Sequence, residues 1–252
     1  MGNVKVRNLI LGEGIPKICI PLTGGTEREI ISQINLVRQA PCDIVEFRAD
    51  LYRKAPDYPS LRAILCLIRK SIPDIPLLFT FRTEGEGGGA EISFADYCSL
   101  LEKVAEGGLA DMIDVEAWFD PDSTKELVEI IHAYGIPVIL SSHNFSETED
   151  RESLVERMTK MQSMGGDIVK LAVMPRSAGD VLSLMEATLE MKEKHGETPV
   201  VTMSMSSLGM ISRLSGELTG SCMTFGTAGQ ASAPGQPDAG DLQMVLNLLH
   251  QM

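Results

Sequence analysis

The chain has 252 residues, of which 44% are hydrophobic and 23% charged, a composition that predicts a globular protein of one domain or at most two. Its 35 acidic residues outnumber its 22 lysines and arginines, and the resulting net charge of −13 argues against nucleic acid or an anionic membrane as the main partner. Any anionic substrate must therefore be bound by a local group of arginines.

Eight short runs rich in Val, Ile and Leu are predicted as strands, and longer segments of helical periodicity separate them. The predicted strands are 17–22, 43–49, 76–82, 110–116, 136–143, 167–173, 199–205 and 221–226. Several intervening segments, such as SFADYCSLLEKVAEGG and DSTKELVEIIHAYG, open on a capping residue and close on glycine, and a last helix is predicted at 241–252.

Eight strand–helix units in 252 residues are typical of an α/β fold of the (β/α)₈ TIM-barrel type, which we predict as a single domain. Residues 1–16 are expected to form an extension or a hairpin that closes the barrel floor. The alternative is an open doubly wound sheet, but no GxGxxG motif follows the first strand to support it.

The cysteines and the hydrophobic runs predict the environment of the protein. Five cysteines are widely separated and lack CxxC spacing, so neither a disulfide framework nor a metal site is expected. No hydrophobic run approaches the roughly 20 residues of a membrane span, and the start MGNVKVRNLILGEG lacks the core of a signal peptide. We therefore expect reduced thiols and a cytoplasmic location.

Charged or ionisable residues gather at the C-terminal ends of five successive predicted strands. They are Glu46, Arg48, Arg82, Asp114, Glu116, His143 and Lys170. In a barrel these strand ends meet on one face, where the βα loops build the active site. Any one of these residues would most simply be a charge turned to solvent, but the group as a whole predicts a site.

Lys170 lies within the hydrophobic run DIVKLAV, and strand alternation places it inside the barrel together with Ile168 and Ala172. An inward ammonium group must be solvated, paired or functional, because its isolated burial is very costly. One interpretation is a structural ion pair with Glu46 or Glu116. The other is a nucleophile that forms a Schiff base with a carbonyl substrate.

A nucleophilic Lys170 must react as the uncharged amine, and Arg48, Arg82 or Arg213 would favour that form by repelling the ammonium. His143 ends the strand that precedes the lysine strand, so the two side chains should be close. A hydrogen-bonded loop histidine is the simple interpretation. Beside an inward lysine, we favour a general acid/base.

The remaining candidates lie in loops and in one helix. The glycine-rich loop after the third strand is either an uninvolved connection or a way to bring Glu86 close to a ligand. Arg213, in a predicted helix, would form a carboxylate clamp with Ser232 and Gln236, unless it is a surface arginine beside a polar turn.

The loop 226–239 is long and rich in glycine and proline, as expected of a lid over the active site. Met203 and Met205 would form adaptable hydrophobic walls of the cavity, although packing in the core is the commoner use of methionine.

Motifs along nearly the whole chain resemble the type I 3-dehydroquinate dehydratases of the shikimate pathway. They are ICIPLTGGTE, VEFRADL, TFRTEGEGG, SSHNF, VKLAVMP, LGMISRLSGELTGSCMTFG and ASAPGQ. The resemblance implies a (β/α)₈ barrel, usually a homodimer, that converts 3-dehydroquinate to 3-dehydroshikimate by syn elimination without a metal or organic cofactor. By matched position, Lys170 resembles the imine-forming lysine, His143 the acid/base and Glu86 the residue that orients this histidine. The implied substrate contacts are Arg213, Ser232 and Gln236 for the carboxylate, and Glu46, Arg48 and Arg82 for the ring hydroxyls.

The sequence departs from the family pattern at two places. Ser206 and Ser207 stand where Gly-Lys is familiar, and Gly229 and Gln230 stand where lysines are expected. Fewer basic groups at the mouth would weaken the steering of an anionic substrate or loosen the lid.

Two other functions stay open at this point. A Schiff-base aldolase would share the lysine but needs a different proton relay, often built on tyrosine, and the four tyrosines fall in predicted loops or helices. A non-catalytic barrel that only binds a small acid is less consistent with the retention of both Lys170 and His143.

Overall fold

A computed structural model describes residues 2–117, 120–229 and 235–251. Its N-terminal segment is an antiparallel hairpin of β1 (Val4–Val6) and β2 (Leu9–Leu11). The inward side chains of this hairpin, Val6 and Leu11, are buried in one cluster with residues that begin the barrel strands, among them Ile44, Met112 and Ile168. The hairpin therefore closes the floor of the barrel, as expected.

The barrel is built from parallel strands that pair in the order β10-β3-β4-β5-β6-β7-β8-β9 within the described residues. They are β3 (Lys17–Leu22), β4 (Ile44–Arg48), β5 (Leu77–Thr80), β6 (Met112–Glu116), β7 (Val138–Asn144), β8 (Ile168–Val173), β9 (Val200–Ser204) and β10 (Met223–Phe225). A bridge between Val200 and Ser221 closes the ring. The predicted TIM barrel is confirmed.

Alternation along β8 follows the predicted register. Val169, Leu171 and Val173 are buried in the layer between strands and helices, whereas Ile168 and Ala172 belong to the cluster inside the barrel. Successive side chains of a strand point to opposite faces, so Lys170 projects inward.

Helices cover the outside of the barrel. The described helices are α1 (Glu27–Val37), α2 (Tyr58–Ser71), α3 (Phe94–Gly107), α4 (Pro121–Ala133), α5 (Arg151–Ser163), α6 (Ala178–Lys194), α7 (Met210–Leu214), α8 (Gly216–Thr219) and α9 (Ala239–His250). Most start where sequence signals predict, because Ser, Thr or Asp caps accept hydrogen bonds from the first turn, as Ser93 does from Asp96 N.

Most strand ends and the ends of the last helix differ from the prediction by one or two residues, and two other segments differ further. The amphipathic pattern of SETEDRESLVERMTKMQSMGG, residues 146–166, predicts a helix from its start, but α5 begins only at Arg151. Asn144 Oδ1 accepts hydrogen bonds from the backbone N–H groups of Ser146 and Glu147, and this turn delays the helix. In the connection before the last strand, two short helices, α7 and α8, meet at Ser215.

Candidate active site

The polar strand ends surround a cavity of about 150 Å³ at the C-terminal face of the barrel. Its lining includes every residue given a catalytic or substrate-binding role in the sequence analysis except Ser232, which lies outside the described residues: Glu46, Arg48, Arg82, Glu86, His143, Lys170, Met203, Met205, Arg213 and Gln236. The other two strand-end charges, Asp114 and Glu116, are not part of this lining. Phe145, Ala172 and Phe225 add hydrophobic wall. Residues distant in sequence thus meet in one small, mixed polar and hydrophobic site.

Lys170 projects from β8 into this cavity, and its side chain is only 5% exposed. Its Nζ lies 3.2 Å from Asp114 Oδ2 and 3.7 Å from Glu46 Oε1, and it stands 4.8 Å from the centroid of the Phe225 ring. The ion pair expected with Glu46 is therefore present, whereas Glu116 takes a different partner. Burial of the ammonium is offset by two carboxylates and an aromatic face.

Arg82 follows β5 and is buried among acidic side chains. Its Nη1 donates to Glu116 Oε1 and to Ser141 Oγ at 2.9 Å each, and its Nη2 donates to Asp114 Oδ1 at 2.7 Å. Burial alone would lower the pKa of this guanidinium, but Asp114, Glu116 and Glu86 raise it above its ordinary value. Arg82 thus holds the acidic cluster together, a role that the sequence analysis did not assign to it.

His143, on β7, has its Nδ1 2.8 Å from Glu86 Oε2. Burial, reinforced by the cations Arg82, Lys170 and Arg48, lowers the pKa of His143 well below its usual range. Burial also raises the pKa of Glu86 to about 8, although Arg82 opposes that shift. The imidazole is therefore neutral at pH 7, and in the tautomer whose Nδ1 donates to Glu86, Nε2 is free to accept a proton.

The glycine-rich loop explains how Glu86 reaches this position. Glu86 lies in a short 3-10 turn, Glu84–Glu86, which Gly87 ends in the left-handed region at φ 79°. Gly88 lies so close to the preceding strand end that an added Cβ would stand 1.9 Å from Arg82 O. Only glycine allows this approach, so the loop folds back over Arg82 and its acidic side chain points at His143.

Arg48 is fixed by a residue that the sequence analysis did not select. Asp50 binds its guanidinium with both oxygens, at 2.9 Å from Nε and 2.8 Å from Nη2. The same carboxylate accepts hydrogen bonds from Arg82 N and Gly89 N. Asp50 therefore links the loops after β4 and β5.

Arg213 is a further cation in the lining of the cavity. It is buried on α7, where its Nη1 lies 3.8 Å from Met203 Sδ, and Thr224 Oγ1 donates to its carbonyl oxygen. Burial lowers the pKa of Arg213 to about 10, which still leaves it charged at pH 7. The buried guanidinium of Arg213 and the amide of Gln236 both line the cavity, and both groups are suited to bind a carboxylate.

Both ends of the predicted lid loop are anchored in the structure. Thr227 N donates to Pro237 O, and Ala239 N donates to Thr227 O. Gly235 packs against Ser206, where an added Cβ would stand 2.3 Å from Ser206 O. The middle of the loop, including Gln230 and Ser232, lies outside the described residues.

Asp114 and Ser141 are the other site residues that the sequence analysis did not assign. Asp114 was visible as a charged strand end, but its role depends on contacts across the barrel that a single sequence does not reveal. Ser141 Oγ donates to Asp114 Oδ1 at 2.6 Å. This serine belongs to the SSHNF motif, but the motif does not reveal its partner.

The described residues contain no second type of site among those considered from the sequence: metal site, membrane span or disulfide. In 2–117, 120–229 and 235–251, no group of His, Cys, Asp and Glu side chains is arranged to bind a metal ion. None of the helices described is long and hydrophobic enough to cross a membrane. All five cysteines are free thiols.

Comparison with known proteins identifies the family. A family model described as type I 3-dehydroquinase matches residues 18–252. The chain belongs to this family. A 3-dehydroquinate dehydratase of Bacillus licheniformis is 48% identical and one of Clostridium novyi is 43% identical, over 98% and 100% of both chains, respectively.

A solved structure supports the same family. The type I 3-dehydroquinate dehydratase of Clostridium difficile, solved with covalently modified comenic acid, superposes with a TM-score of 0.95. It is 42% identical to this chain and covers 99% of it, with 98% of its own length matched. Membership of the type I 3-dehydroquinase family, a family of lyases, confirms the resemblance seen in the sequence.

Proposed function

We propose that the chain dehydrates 3-dehydroquinate to 3-dehydroshikimate, a step of the shikimate pathway, by syn elimination through a Schiff base on Lys170. The observation that carries this proposal is the arrangement of two groups in one cavity. Nζ of Lys170 and the imidazole of His143 project from neighbouring strands into it, and Glu86 holds the histidine by a 2.8 Å hydrogen bond.

Substrate binding is assigned to the rim of the cavity. Arg213 and Gln236, with Ser232 from the lid loop, bind the substrate carboxylate, and Glu46 and Arg48 bind ring hydroxyls. Met203 and Met205, both buried, form hydrophobic wall beside the ring. Arg82 is engaged by carboxylates, so its part in our proposal is to organise the site rather than to repel the lysine.

The first chemical stage joins Lys170 to the substrate. The uncharged amine attacks the ring carbonyl carbon and a nitrogen–carbon bond forms. The carbonyl oxygen then leaves as water after it has accepted one proton from the attacking nitrogen and one from solvent, both transferred by His143. The product is a protonated imine. Its positive nitrogen withdraws electrons from the ring and makes the neighbouring C–H bond acidic.

The second stage is the elimination. His143 Nε2 removes the acidified proton, the electron pair forms the new double bond, and the hydroxyl on the next carbon leaves with a proton from the imidazolium. One imidazole can serve both halves because the proton and the hydroxyl leave from the same face. Water then hydrolyses the imine and restores the lysine.

The environment of His143 supports its role as the base. Its pKa is held well below the usual range by burial and by Arg82, Lys170 and Arg48, so the group is neutral and ready to accept a proton at pH 7. Glu86 orients the ring through its hydrogen bond at Nδ1.

A Schiff-base aldolase fits these contacts less well. Within the described residues, no tyrosine lines the cavity around Lys170. Tyr97 is buried on α3, and its hydroxyl accepts a hydrogen bond from Glu116 N. The Tyr97 side chain therefore lies between the helices and the strands, outside the barrel interior. Our proposal therefore remains the dehydration.

We also propose a single domain, a cytoplasmic location and a homodimer. Exposed hydrophobic side chains on α7 to α9 support the dimer: Ile211, Leu218, Met244 and Leu248. Light scattering of the purified protein tests the association, with about twice the monomer mass expected.

The decisive test of function is turnover with 3-dehydroquinate, followed by the ultraviolet absorbance of the conjugated product. Lys170→Ala should abolish turnover, whereas the exposed Lys194→Ala should leave it unchanged. His143→Ala should still form the imine but lower turnover by roughly 10²- to 10⁴-fold. No turnover by the unmodified chain, or full turnover by Lys170→Ala, would refute the proposal.

A further inference from the structure

Asp114 contacts the reacting nitrogen and a second cation at once. It lies on β6, two strands away from β8, which carries Lys170, and is 1% exposed. Its Oδ2 accepts from Lys170 Nζ at 3.2 Å, while its Oδ1 accepts from Arg82 Nη2 at 2.7 Å and from Ser141 Oγ at 2.6 Å. The two carboxylate oxygens therefore have separate tasks.

We propose that Asp114 is the carboxylate that fixes Lys170 Nζ in the cavity and stabilises the positive charge of the protonated imine. This inference rests on the proposed Schiff-base function. It adds a residue that acts directly on the reacting atom of the lysine.

The position of the imine nitrogen places its positive charge next to the Asp114 carboxylate. That nitrogen is Nζ itself, so it stays close to Asp114 Oδ2 after the substrate is bound. An iminium draws electrons from the ring only while it carries its positive charge, and an adjacent anion in a buried site favours that charged form. Glu46 Oε1, at 3.7 Å, is a second but more distant anion.

Ion pairs and hydrogen bonds also connect Asp114 to His143, the proposed acid/base. Arg82, held by Asp114 Oδ1, lies 3.7 Å from Glu86 Oε2, and Glu86 in turn holds His143. A continuous series of ion pairs and hydrogen bonds thus fixes the distance between the nucleophile and the base. Burial alone would raise the pKa of Asp114, but Arg82 and Lys170 keep it below its ordinary value, which is consistent with a permanently ionised group.

The anion has opposite effects on two steps. It favours the iminium that elimination needs, but it also favours the ammonium that cannot attack a carbonyl. Removing the charge should therefore let the lysine form its imine at lower pH while slowing the elimination. A residue that only supports the barrel would not separate the two steps in this way.

Asp114→Asn is the main variant, since its one remaining oxygen can still accept from Arg82 and Ser141 while an NH₂ group faces Nζ. Imine formation is measured as the adduct trapped by borohydride with 3-dehydroquinate in single turnover, as a function of pH. We expect the acid midpoint of trapping to fall by roughly one pH unit or more, and kcat to fall at least about tenfold.

Glu116→Gln is the matched control. It removes another buried anion from the same cluster, but Glu116 Oε1 accepts from Arg82 and Thr83 N, and Oε2 accepts from Thr83 Oγ1. Its trapping midpoint should stay close to that of the unmodified chain. Equal midpoints for Asp114→Asn and Glu116→Gln would overturn the inference.

Asp114→Glu keeps the negative charge but changes its position, and it is the variant to measure if Asp114→Asn does not fold. We expect an unchanged trapping midpoint with slower imine formation, and imine formation at the original rate would contradict the positioning role. The proposed function fails separately, because absence of any adduct in the unmodified chain would refute the Schiff base itself.

Discussion

Glu86 and His143 form a buried pair in which the carboxyl oxygen Oε2 and the ring nitrogen Nδ1 are 2.8 Å apart. Burial shifts the pKa values of the two groups in opposite directions: it raises the pKa of Glu86 to about 8 and lowers that of His143 well below its ordinary value. Both shifts favour the neutral forms. With its Nδ1 donating to the Glu86 carboxyl oxygen, the neutral ring keeps Nε2 free to accept the proton that elimination releases.

The first prediction concerns the titration of His143. Because its neutral form is favoured in the folded protein, its ring should become protonated only well below the reference value of about 6.5. Nuclear magnetic resonance titration of the histidine side chains measures this directly, and the His143→Gln spectrum identifies the signal. A midpoint at or above 6.5 would contradict the account of the base.

The second prediction concerns the stability contributed by Glu86. A carboxyl whose pKa is raised to about 8 in the folded state binds more protons there than in the unfolded chain, so stability is lost as pH rises from about 4.5 to 8. Glu86→Gln cannot ionise and should not show this loss. Its melting temperature relative to the unmodified chain should therefore rise between pH 5 and pH 9, and a constant difference would disprove the shift.

The third prediction concerns the loop that carries Glu86. Gly88→Ala would put a Cβ 1.9 Å from Arg82 O, so the loop must move and carry Glu86 away from His143. We expect turnover to fall by at least about tenfold. Gly85→Ala is the control, because its Cβ would meet nothing closer than Thr83 Oγ1 at 3.7 Å, and an equal loss in both variants would contradict the explanation.

The fourth prediction concerns the backbone at Ser206. This serine has φ 60°, in the left-handed region that glycine adopts more easily. Ser206→Gly should therefore increase the free energy of unfolding by roughly 0.5–1 kcal/mol, after the entropy that glycine adds to the unfolded chain. Denaturant unfolding measures the change. Ser207→Gly, without that backbone conformation, should be neutral or destabilising, and a stabilisation equal to that of Ser206→Gly would argue against strain.

Periodicity and capping made the barrel predictable from the sequence. The inward position of Lys170 follows from the alternation in DIVKLAV, and the helix starts follow from residues such as Ser93 and Asp120, whose side chains accept from the first turn. The delayed start of α5 was not predictable, because it depends on a side-chain turn at Asn144 that has no periodic pattern.

The sequence predicts which residues line the candidate site, but not which side chains contact one another there. Strand ends and family motifs identified the residues that line the cavity, yet the partners of Arg82 and Lys170 depend on which side chains meet across the barrel. Asp114 joins the cations Arg82 and Lys170, which lie far apart in sequence. Asp50 joins the Arg48 guanidinium to the backbone N–H of Arg82 on the next loop. A single sequence carries no signal for such contacts.

The central claim is that Lys170 forms the covalent intermediate. The most direct measurement is mass spectrometry of peptides from protein reduced with borohydride in the presence of 3-dehydroquinate. Our account predicts a substrate adduct on Lys170 and none on the same peptide of Lys170→Ala. An adduct on a different lysine, or an unlabelled protein that still turns over substrate, would contradict it.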